Sequence, residues 1–276
     1  MAGSRKNRGQ KKRAPRKASM HEILHGRHVV EEALRADRRE FVRLSAREGS
    51  LAPEWSAVLD LAKEKGVPVV RLDPRQWSDL ESGERDVQLQ GCVLEAGPLP
   101  VLEGVDALCD STPRDPSGKV ILALDGVEDP QNVGSLARVA DAAGAVGLLM
   151  TDRRSAPLTP ALSRASAGAI EWQPVARVPN LVRGLKDLKK KGFWVLAADP
   201  EADRVLFNFP DALLTGDLVV VLGAEGKGLR PGVRAEVDHQ VSLPMLGRVA
   251  SLNVATAGAV LLYEILRRRR YRSKSD

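Results

Sequence analysis

The alternation of apolar and polar positions in this chain changes character near residue 100. Before that point, apolar residues recur at helical spacing over 26–36, where Val29, Val30, Ala33 and Leu34 share a stripe. They do so again over 55–65, where Trp55, Val58, Leu59 and Ala62 line one face and Gly66 supplies a stop. Short apolar runs at 41–45, 67–72 and 89–95 predict strands, and Asp73-Pro74 opens another helical turn. Together these segments predict a small α/β domain over 21–98. Pro100, Pro113 and Pro116, with Asp, Ser and Gly between them, then predict a linker over 99–118. From 119 onward strands (120–124, 146–150, 193–198, 218–222, 240–243) alternate with helices (132–143, 160–167, 181–191, 250–269). Aliphatic runs such as Val120-Ile121-Leu122-Ala123-Leu124 suit strands buried on both faces. The fold class is therefore α/β, with a parallel sheet covered by helices over 119–270.

In such sheets ligands bind beyond the carboxyl ends of the strands. That rule singles out three loops, at 125–132, 223–230 and 243–251. In the first, Asp125-Gly126 leaves a strand sharply and Asn132 sits at a helix start, where its amide can cap. Arg138, nearly two turns on, reaches toward the same mouth or pairs with Asp129 or Asp141. The second, Gly223-Ala224-Glu225-Gly226-Lys227-Gly228, lets backbone N–H groups converge. It has neither the P-loop spacing nor the dinucleotide-binding GxGxxG. Glu225 either pairs with Lys227 or Arg230 or holds a substrate group. The third runs small and polar from Gly247 to Asn253 ahead of a helical stripe of Val254, Gly258, Leu261, Leu262 and Ile265. Ser251 or Asn253 can cap that helix. The small run Ala255-Thr256-Ala257-Gly258 would admit a neighbouring backbone or a ligand.

Composition narrows the partners. Net charge is +6, but residues 1–20 hold eight Lys or Arg and no acid, and residues 265–276 hold six more against one acid. The body between them carries 28 basic and 35 acidic residues. Two basic ends on a mildly acidic body suit a polyanion, nucleic acid before an anionic membrane. Aromatics make up only 4%, which argues against base stacking as the main contact. No apolar run approaches the ~20 residues of a membrane span, and the first twenty residues lack a secretory h-region. Two cysteines, Cys92 and Cys109, make neither a disulfide framework nor a zinc site. His21, His25 and His28 cluster around a helix start without an accompanying ligand set, so no metal is expected. A cytoplasmic location is expected.

Taken together, DGVEDPQNVGSLARVADAAG, LGAEGKGL and LPMLGRVASLNVATAG, in this order over 119–270, resemble the SpoU/TrmH-type RNA ribose 2′-O-methyltransferases of the SPOUT superfamily. The segment HGRHVVEEALRADRREFVRL is similar to the start of the ribosomal-protein-like substrate-binding domain that precedes the catalytic domain in members acting on ribosomal RNA. Where relatives carry His-Gln-Gly before that domain's last strand, this chain reads Leu89-Gln90-Gly91. The resemblance implies a deep trefoil knot, a homodimer and S-adenosylmethionine (SAM) as methyl donor. It places Gly223, Leu243 and Leu252 against the cofactor, mostly through main-chain groups. It places Asn132, Arg138, Glu225, Ser251 and Asn253 in the active site. A guanidinium is a poor base, so Arg138 is assigned to holding an RNA phosphate and the developing alkoxide, while the proton acceptor stays open. The expected reaction is SAM-dependent methylation of a ribose 2′-hydroxyl, on a guanosine of 23S ribosomal RNA. The alternatives are a transfer RNA substrate and a non-catalytic RNA-binding or ribosome-assembly factor.

Overall fold

A computed structural model describes residues 21–49, 51–83, 89–113, 115–249 and 251–271. Of the expected basic ends, residues 1–20 and 272–276 lie outside these residues, and 265–271 lie within them.

The first domain is built on a four-stranded sheet of β1 (Glu22–His25), β2 (Phe41–Arg47), β3 (Val69–Leu72) and β4 (Cys92–Ala96) in the order β1-β4-β2-β3. β4 runs antiparallel to both its neighbours, and β2 and β3 are parallel. Helices α1 (Arg27–Ala36), α2 (Ser56–Glu64) and α3 (Pro74–Gly83) complete it. The α1 stripe of Val29, Val30, Ala33 and Leu34 and the α2 positions Val58 and Ala62 are buried with Leu24, Leu44, Trp55 and Leu94 in one core. β1 has no counterpart in the sequence reading. Its four residues, Glu-Ile-Leu-His, are too short for alternation to show.

The second domain carries a seven-stranded, wholly parallel sheet in the order β11-β9-β10-β6-β7-β8-β5. Its strands are β5 (Val101–Glu103), β6 (Val120–Asp125), β7 (Gly147–Thr151), β8 (Val175–Val178), β9 (Trp194–Ala198), β10 (Leu218–Gly223) and β11 (His239–Val241). Alternation at period two divides the two cores. Leu122, Leu124, Val220 and Leu222 face one side, and Ile121, Ala123, Val219 and Val221 the other. The first side is covered by α5 (Pro130–Ala142), α6 (Pro160–Ala165) and α9 (Val254–Arg270), and the second by α4 (Asp106–Cys109), α7 (Leu181–Lys190) and α8 (Pro231–Arg234).

The segment expected as a linker is built into this domain. β5 pairs with β8 at the sheet edge, and Leu108 and Cys109 of α4 are buried beneath. Its prolines end short elements without preventing them. The closing helix begins at Val254, so Ser251 and Leu252 stand outside it, and Ala250 lies outside the described residues. Gly258 explains the small run in that helix. A side chain there would overlap Leu136 of α5 and meet Leu222 of β10, so its smallness lets α9 lie against α5 and the sheet.

The domains are joined by a buried polar seam. Arg39, with a side chain only 1% exposed, donates to both carboxylate oxygens of Glu171, at 2.7 and 3.0 Å. It also donates to Glu22 at 2.7 Å and to the Gly97 carbonyl at 2.9 Å. Ser163 donates to Glu171 at 2.6 Å, and Arg38 to the carbonyls of Glu171 and Gln173. Burial alone would lower the Arg39 pKa, but the Glu171 and Glu22 hydrogen bonds and charges outweigh it and leave the guanidinium more firmly protonated.

Candidate active site

Adjacent strands β6 and β10 place two of the three loops side by side, with Gly223 in register with Asp125 at their carboxyl ends. Asp125 is 1% exposed and accepts from the Arg230 backbone N–H at 2.8 Å and from its side-chain Nε at 2.5 Å. That clamp fixes where the glycine loop ends. The loop folds back on itself through a Gly228 N–H bond to the Ala224 carbonyl at 2.8 Å. A Cβ on Gly223 would overlap the Gly228 backbone, so only glycine allows this return.

Asp129, not Asn132, caps α5: its carboxylate accepts from the Gln131 N–H at 3.0 Å, with Pro130 as first helical residue. The cap therefore sits three residues earlier than the sequence reading placed it. Asn132 is thereby free for another role, and it is buried in the first turn. Its Nδ2 donates to Glu225 Oε1 at 3.1 Å, while its Oδ1 accepts from Asn253 Nδ2 at 2.9 Å. Asn253 Nδ2 also donates to Glu225 Oε1 at 2.7 Å. The Asn253 oxygen is committed elsewhere, capping α9 by accepting from the N–H groups of Ala255 (2.9 Å) and Thr256 (3.3 Å). That commitment fixes the amide orientation: Nδ2 must face Asn132 and Glu225. Three residues from three loops thus close one hydrogen-bonded triangle. Glu225 pairs with neither Lys227 nor Arg230, since Arg230 is held by Asp125.

The remaining expected residues are distributed around this triangle. Ser251 is exposed two residues before Asn253 and makes no side-chain bond to another described residue. Arg138 is exposed and likewise has no side-chain hydrogen bond or ion pair among the described residues. Six helical steps carry it about 120° around α5 from Asn132, so the structure does not bring it into the triangle. Gly223 is half-buried beside Glu225, Leu243 is half-buried against the core, and Leu252 is 41% exposed. The main-chain groups of Leu243 and Leu252 take no backbone partner among the described residues, leaving donors and acceptors beside exposed apolar side chains at this rim. Such a rim suits a ligand that is part heteroaromatic and part polar. Asp125, Asp129 and Arg230 were missed as structural members of the site. An acid at a strand end followed by glycine, and an Asp-Pro pair, were the available signals.

Among the described residues no group of three or more His, Cys, Asp or Glu is placed to hold a metal ion, and no helix is long and apolar enough to cross a membrane.

Comparisons with known proteins bear on this arrangement. Residues 119–263 match the SpoU rRNA Methylase family, and residues 23–101 match the domain described as RNA 2′-O ribose methyltransferase substrate binding. The chain is 38% identical to the 23S rRNA (guanosine-2′-O-)-methyltransferase RlmB of Pseudomonas putida, over 90% of this chain and 97% of that protein. It is 34% identical to a Bacillus subtilis protein, YacO, named for the TrmH family of tRNA/rRNA methyltransferases, over 91% of this chain and 98% of that one. Among solved structures it shares its fold with the SpoU methyltransferase AviRb of Streptomyces viridochromogenes, determined with AdoMet, at a TM-score of 0.72 and 22% identity over 91% of each chain.

Proposed function

This chain belongs to the SpoU rRNA methylase family, and from that premise we propose that it transfers a methyl group from SAM to a ribose 2′-hydroxyl of ribosomal RNA, on a guanosine of the 23S molecule. The observation that carries the reading is the Asn132–Glu225–Asn253 triangle, which joins three distant segments beyond the carboxyl ends of the central strands β6 and β10. SAM supplies an electrophilic methyl group on a sulfonium. Main-chain groups at Gly223, Leu243 and Leu252 would hold it. Glu225 has one carboxylate oxygen engaged by two amides, and the other has no partner among the described residues. That oxygen is suited to orient the attacking hydroxyl or take its proton. Ser251, on the same exposed segment as Asn253, would orient the ribose. Arg138, exposed and without a counter-charge among the described residues, would hold an RNA phosphate near the reacting oxygen. Fixing reactants at attack distance supplies ~7–11 kcal/mol by itself, so the site needs no strong base. A knot near the C-terminus and a homodimer belong to the same proposal. Leu246 and Val249, exposed between Leu243 and Leu252 in the chain, support a second copy covering this rim.

The test is to map 2′-O-methylation on ribosomal and transfer RNA from cells lacking the gene, alongside calorimetry of the pure protein with SAM. One 23S guanosine is expected to lose its methyl group, and SAM is expected to bind. A methyl group lost from transfer RNA instead would move the substrate. Absence of SAM binding would favour a non-catalytic RNA-binding factor.

A further inference from the structure

Away from the triangle, the two domains enclose a groove of about 780 Å³. Its walls include Arg27 and His28 at the start of α1, Glu54 and Trp55 of a short turn before α2, Gln90 ahead of β4, and Arg164 from α6 of the second domain. The volume is that of a ligand cleft, ~300–1,000 Å³. Trp55 is 3% exposed and forms a rigid wall, whereas His28, Glu54, Gln90 and Arg164 are exposed.

Arg164 is the unusual member. No carboxylate among the described residues pairs with it, and its partner is the His25 ring, whose Nε2 lies 2.6 Å from one guanidinium nitrogen. His25 is buried, and burial first, then the Arg164 charge, hold its pKa down to about 4. At neutral pH the ring is therefore uncharged and Nε2 can accept. The guanidinium is thus held in place without being neutralised, and its other N–H donors are left for a ligand. Arg27, by contrast, is already paired with Glu31 at 2.9 Å. A second Arg27 nitrogen lies 3.2 Å from His28 Nε2, so that ring is engaged, and Glu54 and Gln90 remain to offer acceptors and a donor beside Arg164.

We propose that this groove between the domains binds one unpaired nucleotide of the RNA substrate, with its phosphate on Arg164 and its base edge on Glu54 and Gln90. Unpaired bases present donors and acceptors together and are read at their edges, which matches a wall of carboxylate and amide beside one cation. The assignment rests on the RNA methyltransferase reading but concerns a site distinct from the triangle.

The experiment titrates full-length protein with a labelled RNA hairpin bearing an unpaired loop, and with a fully paired duplex, across a salt series. Arg164→Ala is expected to weaken hairpin binding ~5–10-fold and to lower the salt slope by about one, as for loss of one phosphate contact. Arg164→Lys should retain the slope. Gln90→Ala should weaken the hairpin without altering the slope. Arg183→Ala, on the outer face of α7, should change neither. SAM affinity should be unchanged in all four variants, which checks the fold. Hairpin affinity and slope matching wild type in Arg164→Ala would overturn the proposal, as would equal losses on hairpin and duplex. Wild-type protein that binds the hairpin but methylates no RNA would sink the reading of the chemistry and leave the groove standing.

Discussion

Two sets of arginines in this chain are indistinguishable by composition and opposite in use. Residues 267–270 form an unbroken basic run at the end of α9. Arg268 donates to the carbonyls of Leu206, Phe207 and Phe209 and pairs with Glu264 and Asp211. Arg269 donates to the carbonyls of Gly118, Leu214 and Gly216, and Arg270 pairs with Asp115 at 2.6 Å. Arg39 is committed in the same way at the domain seam. Arg138 and Arg164, each alone in its stretch of sequence, carry no carboxylate partner among the described residues. The density of positive charge in a sequence therefore says little about its availability. What decides it is whether helix-end and loop carbonyls converge on the side chain. For the body of this chain the comparison removes most of the C-terminal run from the RNA-binding surface and leaves isolated arginines in its place.

The comparison breaks first, and by the largest amount, at Arg39. Arg39→Met leaves Glu171 buried without its bidentate partner, and breaking a buried pair from one side costs ~3–5 kcal/mol. Urea unfolding should show that loss. A decrease below ~1 kcal/mol would mean that the seam is not holding the domains together.

Next come Arg138→Ala and Arg269→Ala, which should fail in opposite assays. With Arg138 holding an RNA phosphate near the reacting oxygen, its removal is expected to lower methyl transfer ~10²-fold through lost positioning, with SAM affinity within a few-fold and stability within ~0.5 kcal/mol. Arg269→Ala should instead lose ~1–3 kcal/mol of stability, because three carbonyls lose their donor, and should leave the salt slope of RNA binding unchanged. Near-wild-type turnover in Arg138→Ala would remove that residue from the active site.

How much of this was legible beforehand follows the same division. The near-continuous aliphatic runs of β6 and β10 announced a parallel sheet because burial on both faces leaves no polar position in them. The three loops followed from that sheet. Asn132, Glu225 and Asn253 lay in those loops, but each also had a cap or ion-pair reading there, and only the resemblance of the three motifs singled them out as site residues. The cap on α5 was misplaced because Asp129 and Asn132 are equally good cap formers, and only the position of Pro130 as first helical residue separates them. β5 and α4 were hidden in 99–118 because a three-residue strand and a single helical turn leave no periodicity. The Arg39–Glu171 pairing joins positions 132 residues apart, and no local pattern encodes that.

The smallest expected effect tests what keeps Arg164 in place. His25 carries a folded-state pKa of about 4 against an ordinary 6.5. Between those values the unfolded chain takes up a proton that the folded chain refuses, so acidification favours unfolding and stability rises with pH across this window. The contribution is fully present above about pH 6.5 and lost as the pH falls toward 4. His25→Asn removes the titration and exchanges the ring acceptor for an amide, at a cost of ~1 kcal/mol near neutrality. Asp115 and Glu264, whose carboxyls are also held below their usual range by arginine partners against the opposing pull of burial, lose their contributions at low pH in both proteins, so they cancel in the difference. Wild type should therefore melt above His25→Asn at pH 7.5, and the gap should close and then reverse by pH 4.5, because wild type alone loses ~1.4 kcal/mol per pH unit across this window. A gap that stays constant over that range would mean His25 is not a neutral acceptor, and Arg164 would then need another partner to hold it at the groove.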